Sequence, residues 1–112
     1  MSAYAIAHIQ SITMGPSIVE YLERIDATLA PYRGQFIVHG DPAEVREGQF
    51  TGDLIAIRFP DRDAAVGWYE SAAYREIAAL RTENSDGWVV LVDGVPADHR
   101  ATDILTAGSR GG

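Results

Sequence analysis

Two stretches of this chain carry apolar side chains at nearly every position instead of every second one. In Asp53–Phe59, Leu54 and Ala56 oppose Ile55 and Ile57; in Trp88–Val92, Val90 and Val92 oppose Val89 and Leu91. A strand turns successive side chains to opposite sides, so both faces of these two strands are apolar. An antiparallel sheet that leaves one face in water reads instead as apolar-in, polar-out alternation. Any fold built on these strands must therefore cover its sheet twice.

The remaining residues supply helices for one side only. Tyr4–Ile12 alternates, with Tyr4, Ile6, His8 and Gln10 on one face and Ala5, Ala7, Ile9 and Ser11 on the other. After Gly15, Pro16 suits a first helical turn, and Ile18, Leu22, Ile25 and Leu29 recur at helical steps until Pro31 ends the run. Gly34 opens a strand over Gln35–His39 that Gly40, Asp41 and Pro42 stop, and Ala43–Glu47 is read as a short extension or hairpin arm. Asp53–Phe59 follows, closed by Pro60, with Asp61 as N-cap of a helix that carries Ala64, Ala65, Trp68 and Tyr69. Ser71 caps a second piece with Ala73, Ile77 and Leu80; Asn84–Gly87 forms a turn, and Trp88–Val92 is the last strand.

The order β-α-β-β-α-β is the split βαβ pattern of an antiparallel α+β ferredoxin-like fold. It occupies residues 1–95 as one domain, and 96–112 is a tail, flexible or docked on a partner, with Ile104 and Leu105 as its large apolar residues. If Ala5, Ala7 and Ile9 lie under the helices, where small residues allow close packing, then Ile6, Leu54, Ala56, Val90 and Val92 are left on the uncovered side. A second copy applying the same face is the expected cover, making a homodimer; the tail folding back is the alternative.

Charge and composition narrow the function classes. Sixteen acidic residues against nine basic ones give a net charge of −7, which repels phosphate backbones and anionic lipid, so neither nucleic acid nor membrane is an expected partner. With no cysteine, disulfides, thiolate nucleophiles and Cys-ligated metals are excluded. The start, Met1-Ser2-Ala3-Tyr4, has no secretory pattern, and no apolar run reaches the roughly 20 residues of a membrane span, so a soluble cytoplasmic protein is expected.

Phe59–Arg81, with Phe59, Pro60, Ala65, Trp68, Tyr69, Ser71 and Tyr74 at matching places, resembles the signature of the family called domain of unknown function 1330. The run Tyr32-Arg33-Gly34-Gln35-Phe36 and the pair Glu47-Gly48 are similar too, and the resemblance covers residues 3 to 95. It departs from the usual pattern at His39, where many members carry arginine, and at Gln35, where a second glycine is common. The resemblance implies a dimeric α+β barrel able to hold a small molecule, and it implies no reaction.

Among polar candidates, His8 and Arg58 share the uncovered face, where a barrel interior would lie, and His39 joins them if Phe36 and Val38 face the helices. A histidine that exchanges protons near neutrality and an arginine that grips a carboxylate suit proton transfer beside a carbonyl. His8, His39, Arg58 and Tyr69 are thus the catalytic candidates, with structural or interface polarity as the competing reading. Trp68, Tyr74 and Trp88 are the ligand-binding candidates, against simple core packing. The three histidines, His8, His39 and His99, lack metal-ligand spacing, and neither a metal nor another cofactor is expected. Three functions fit: a dimer binding a small organic metabolite between sheet and helices; a cofactor-independent isomerase, lyase or oxygenase acting on a carbonyl or phenolic compound; or a structural protein that docks through its tail.

Overall fold

The computed structural model describes residues 1–106. Strand β1 (Ala3–Ile12) leads to helix α1 (Pro16–Leu29) and a 3₁₀ turn at Ala30–Tyr32, followed by β2 (Gln35–His39) and β3 (Asp53–Phe59). Helices α2 (Arg62–Glu70) and α3 (Ala72–Thr82) precede β4 (Ser85–Asp93), and a short α4 (Asp103–Thr106) lies in the tail. The strands form one sheet in the order β2-β3-β1-β4, with every neighbouring pair antiparallel. This is the ferredoxin-like α+β arrangement that the element order predicts.

Local signals act where the sequence places them. Pro16 sits in the first turn of α1. The Asp61 carboxylate accepts a hydrogen bond from the Ala64 amide at 2.8 Å and opens α2. The Ser71 hydroxyl accepts from the Tyr74 amide at 3.2 Å, which starts α3 one residue after α2 stops. Each cap satisfies an amide that the helix itself leaves unpaired.

Three local expectations are corrected. Ala43–Glu47 forms no strand; it belongs to a loop between β2 and β3 whose end returns to the sheet, where the Thr51 carbonyl meets His8 Nε2 at 2.6 Å. Strand β4 begins at Ser85 instead of Trp88, because β1 runs on to Ile12 and pairs with Ser85 and Asp86 beyond an irregularity near Ile9–Ser11. On α1 the buried residues are Ile18, Tyr21, Ile25, Thr28 and Leu29, while Leu22 is exposed. At 3.6 residues per turn, Tyr21 continues the stripe from Ile18 to Ile25 and Leu22 falls on its flank.

The register separates the sheet's two faces. Phe59, Ile57, Ile55 and Asp53 lie across from Ala3, Ala5, Ala7 and Ile9 on the helix side. On the open side, Arg58, Ala56 and Leu54 lie across from Tyr4, Ile6 and His8, and Val92, Val90 and Trp88 continue the same three rows. The main cluster of packed core residues lies on the helix side, where Phe59, Trp68, Tyr74 and Ile77 are buried. Leu54, Trp88, Val90 and Val92 remain exposed in the single chain.

The described part of the tail does not cover that face with apolar residues: Ile104 and Leu105 are 52% and 76% exposed. Residues 107–112 of the tail fall outside the described residues. Among the described residues, no helix is long and apolar enough to cross a membrane.

Gly52 pins the return of the loop into β3. Its φ of +85° is a conformation that residues with a Cβ disfavour, and a Cβ there would run into the backbone carbonyl of Ile9. Gly52→Ala is expected to cost at least about 2 kcal/mol, since both the dihedral and the contact with a paired strand must give way. A lowered urea midpoint with unchanged slope is the readout; an unchanged midpoint would show that the loop takes another path.

Candidate functional site

Helix α1 packs across α3 more than onto the sheet. The alanines of β1, Ala5 and Ala7, raise no bulk beneath it, and a cavity of about 290 Å³ opens between α1 and the strands. Its sheet wall is Ala5, Ala7, Ile9, Ile55 and Ile57; Ile18, Leu22 and Ile25 line it from α1, and Trp68 closes it from α2. Such a wall offers almost nothing to water and favours an apolar guest.

Polar groups enter at a few points. The Tyr21 and Tyr74 hydroxyls are hydrogen-bonded to each other at 2.8 Å, joining α1 to α3. Arg81, two turns beyond Tyr74 on α3, donates through Nη2 to the Tyr74 oxygen at 3.4 Å and holds its guanidinium carbon 5.9 Å from the centre of the Tyr21 ring. Trp68 Nε1 donates to Thr28 Oγ1 at 3.0 Å, and that hydroxyl donates on to the Ile25 carbonyl at 2.7 Å. His39 and Asp53 contribute from β2 and β3.

Burial and then the adjoining Tyr74 hydroxyl push the Tyr21 phenol far above its ordinary value. For Arg81, burial opposes the charged form, but the Tyr74 and Tyr21 oxygens outweigh it and hold the guanidinium above its usual value. The Tyr21 shift has a consequence at high pH. An unfolded chain releases this proton near pH 10.0, whereas the folded chain keeps it. The contribution is therefore complete below about pH 10 and is lost as pH rises beyond it. Denaturation midpoints should fall above pH 10, and Tyr21→Phe should flatten that decline; an equally steep decline in the variant would assign it to other groups.

The structure divides the sequence candidates between the two sides of the sheet. Trp68, Tyr74 and His39 line the cavity. His8 and Trp88 lie together on the open face, their rings 5.7 Å apart, with Phe50 5.3 Å from His8. Arg58 is on that face too, four residues along β3 from the partner of His8, roughly 13 Å away at strand spacing, and its Nη2 donates to Gln35 Oε1 at 3.4 Å. Tyr69 is 37% exposed, with its ring 5.4 Å from that of Tyr74, and does not line the cavity.

The expected meeting of His39 with His8 and Arg58 does not occur, and the cause is a bulge in β2. Phe36 pairs with Ile57, but Val38 pairs with Ala56, so Ile37 is an extra residue. One added residue reverses the faces of everything after it. Val38 turns to the open side, and His39 turns to the helix side, where it stacks on Phe36 at 4.2 Å. The apolar cavity likewise lies on the helix side, away from the face that carries His8 and Arg58.

Tyr21, Arg81 and Asp53 are cavity residues that the sequence reading did not single out. Helical spacing contains a signal for the first two: Tyr21 falls three residues after Ile18 and four before Ile25, and Arg81 falls seven after Tyr74. Strand alternation contains it for Asp53, on the side of Ile55. Among the described residues, no group of three or more histidine or acidic side chains is placed to hold a metal ion.

Comparison with known proteins agrees with this architecture. The sequence profile of the family described as "Domain of unknown function (DUF1330)" matches residues 2–95. No curated protein matches the chain. A solved structure of a dimeric ferredoxin-like protein of unknown function from Jannaschia sp. CCS1 superposes with a TM-score of 0.65 at 10% identity, covering 84% of this chain and 100% of that one. A protein of unknown function from Rhodopseudomonas palustris gives 0.62 at 11% identity, over 85% of this chain and 83% of that one. A variant of SnoaB, a cofactor-independent oxygenase from Streptomyces nogalater, gives 0.55 at 16% identity, over 89% and 96%. At these identities the likeness is one of fold.

Proposed function

The chain belongs to the DUF1330 family, and from that premise and its helix-side cavity we propose that it is a homodimeric α+β barrel protein that binds a small organic metabolite between sheet and helices. The observation that carries the reading is the cavity itself: about 290 Å³, walled mostly by aliphatic side chains, with Trp68, Tyr74, Arg81 and His39 among its polar or aromatic contacts. That volume is near the small end for ligand pockets and suits a compound of one or two rings or a short chain. Trp68 and Tyr74 serve as its aromatic walls. His8, Arg58 and Trp88 belong to the dimer face in this reading, and the described neighbour that is dimeric supports it through shared fold.

A thermal-shift screen of small organic compounds tests the proposal. A stabilising compound should lose its effect on Ala7→Trp or Ile55→Phe, either of which fills the cavity. Equal stabilisation of both filled variants would move the binding elsewhere and end the reading.

A second reading adds chemistry on the bound compound. His39 on the cavity wall is the observation that favours it, since a histidine there can exchange protons with a guest. SnoaB supplies the precedent of an oxygenase without cofactor on this fold. If turnover occurs, His39→Gln should reduce kcat by 10²-fold or more, on the order typical of a general acid or base, with KM changed far less. Unaltered kcat in that variant would remove His39 from the chemistry and overturn this second reading.

A further inference from the structure

The balance of donors and acceptors in the cavity identifies the kind of guest, given that the cavity is a binding site as proposed above. Tyr21 and Tyr74 share one hydrogen bond, which uses one of their two hydroxyl protons whichever group donates. The other proton has no acceptor among the described residues. Arg81 carries five N–H donors. Among the described residues its guanidinium meets only the two tyrosine oxygens, Tyr74 at 3.4 Å and Tyr21 beside it, and none of the ion pairs includes it. In a chain of net charge −7, a half-buried guanidinium without a carboxylate is an unusual use of a cation.

All three groups therefore have hydrogen to give, and most of the surrounding wall is apolar. We infer that the cavity selects anionic guests, compounds with an apolar body and a carboxylate or enolate oxygen that docks on Arg81 and the Tyr21–Tyr74 hydroxyl pair. A guanidinium meets a carboxylate through two parallel bonds, stronger and more directional than neutral ones. Asp53, the one acidic residue on the wall, is exposed, so water screens its charge more than that of Arg81.

Matched pairs of probes separate this inference from the binding proposal beneath it. Hexanoate, benzoate, cinnamate and naphthalene-2-carboxylate would be titrated into the full chain by calorimetry beside hexanamide, benzamide, cinnamamide and naphthalene-2-carboxamide. Each amide keeps the shape of its acid and lacks the charge. For pairs that bind, the acid should bind at least tenfold more tightly than the amide. Arg81→Gln should abolish that preference, and Arg81→Lys should restore part of it.

Equal affinity for acid and amide in the unaltered protein overturns the anion inference and leaves the cavity as a binding site. That measurement needs no variant, so a failure of Arg81→Gln to fold does not rescue the idea. A preference for acids that persists in Ala7→Trp places the anion site outside the cavity and also overturns it. If no probe binds at 5 mM, both the inference and the binding proposal fail.

Discussion

Val90→Asp is expected to turn a dimer into a monomer at micromolar concentration without unfolding the chain. Val90 stands in the middle row of the open face, across β1 from Ala56 and beside Ile6, and is 43% exposed in the single chain. An aspartate there would meet water in the monomer, where surface changes of this kind cost within about 0.5 kcal/mol. Between two sheets applied face to face it would be a charge removed from water with no partner, and twofold symmetry would bury it twice. An uncompensated buried charge costs roughly 3–5 kcal/mol, so two of them should raise the dimer dissociation constant by 10⁴-fold or more. Sedimentation velocity reads the association, and far-ultraviolet circular dichroism reads the fold. A variant that sediments as the unaltered protein does would place the interface elsewhere and leave the apolar face unexplained.

The apolar character of both sheet faces was legible because it rests on alternation alone. A period of two assigns Leu54, Ala56, Val90 and Val92 to one side and Ile55, Ile57, Val89 and Leu91 to the other, and nothing in tertiary structure altered that assignment. Caps at Asp61 and Ser71 were legible for a similar reason: each acts within three residues of itself. His39 was misplaced because its face depends on how β2 is phased against β3. The bulge at Ile37 is a property of that pairing, and the short run Gln35–His39 contains no glycine or proline to announce it. The cavity was illegible for a further reason. A sequence states that Ala5 and Ala7 are small but not whether α1 closes down on them or stands off, and here it packs on α3 instead. Tyr21 and Arg81 lie 60 residues apart on different helices, so helical period names their faces but not their meeting.

Trp68→Ala is expected to bring the largest loss of stability of any single change considered, and the contrast with Trp88→Ala shows why. Trp68 is 2% exposed and packs its ring 4.2 Å from that of Tyr74 and 5.5 Å from that of Phe59. It also donates to Thr28 on α1, tying α2 to that helix. Truncation removes the transfer energy of the indole, opens a void next to an existing cavity, and leaves the Thr28 hydroxyl without its donor. Aromatic-to-alanine changes in cores cost about 3–5 kcal/mol, a large share of the roughly 5–15 kcal/mol that holds a domain together. At about 4 °C per kcal/mol for a chain of this size, the melting midpoint should drop by roughly 12–20 °C. Trp68→Phe keeps most of the packing and loses the N–H donor, so a loss nearer 1–2 kcal/mol is expected. Trp88 is half exposed on the open face, and its truncation should barely change the unfolding of the single chain while weakening association. The two variants therefore separate packing on the helix side from coverage of the open side. Comparable melting shifts, measured at a dilution where the protein is monomeric, would mean that Trp88 is held by the chain's own core and that the open face is not an interface.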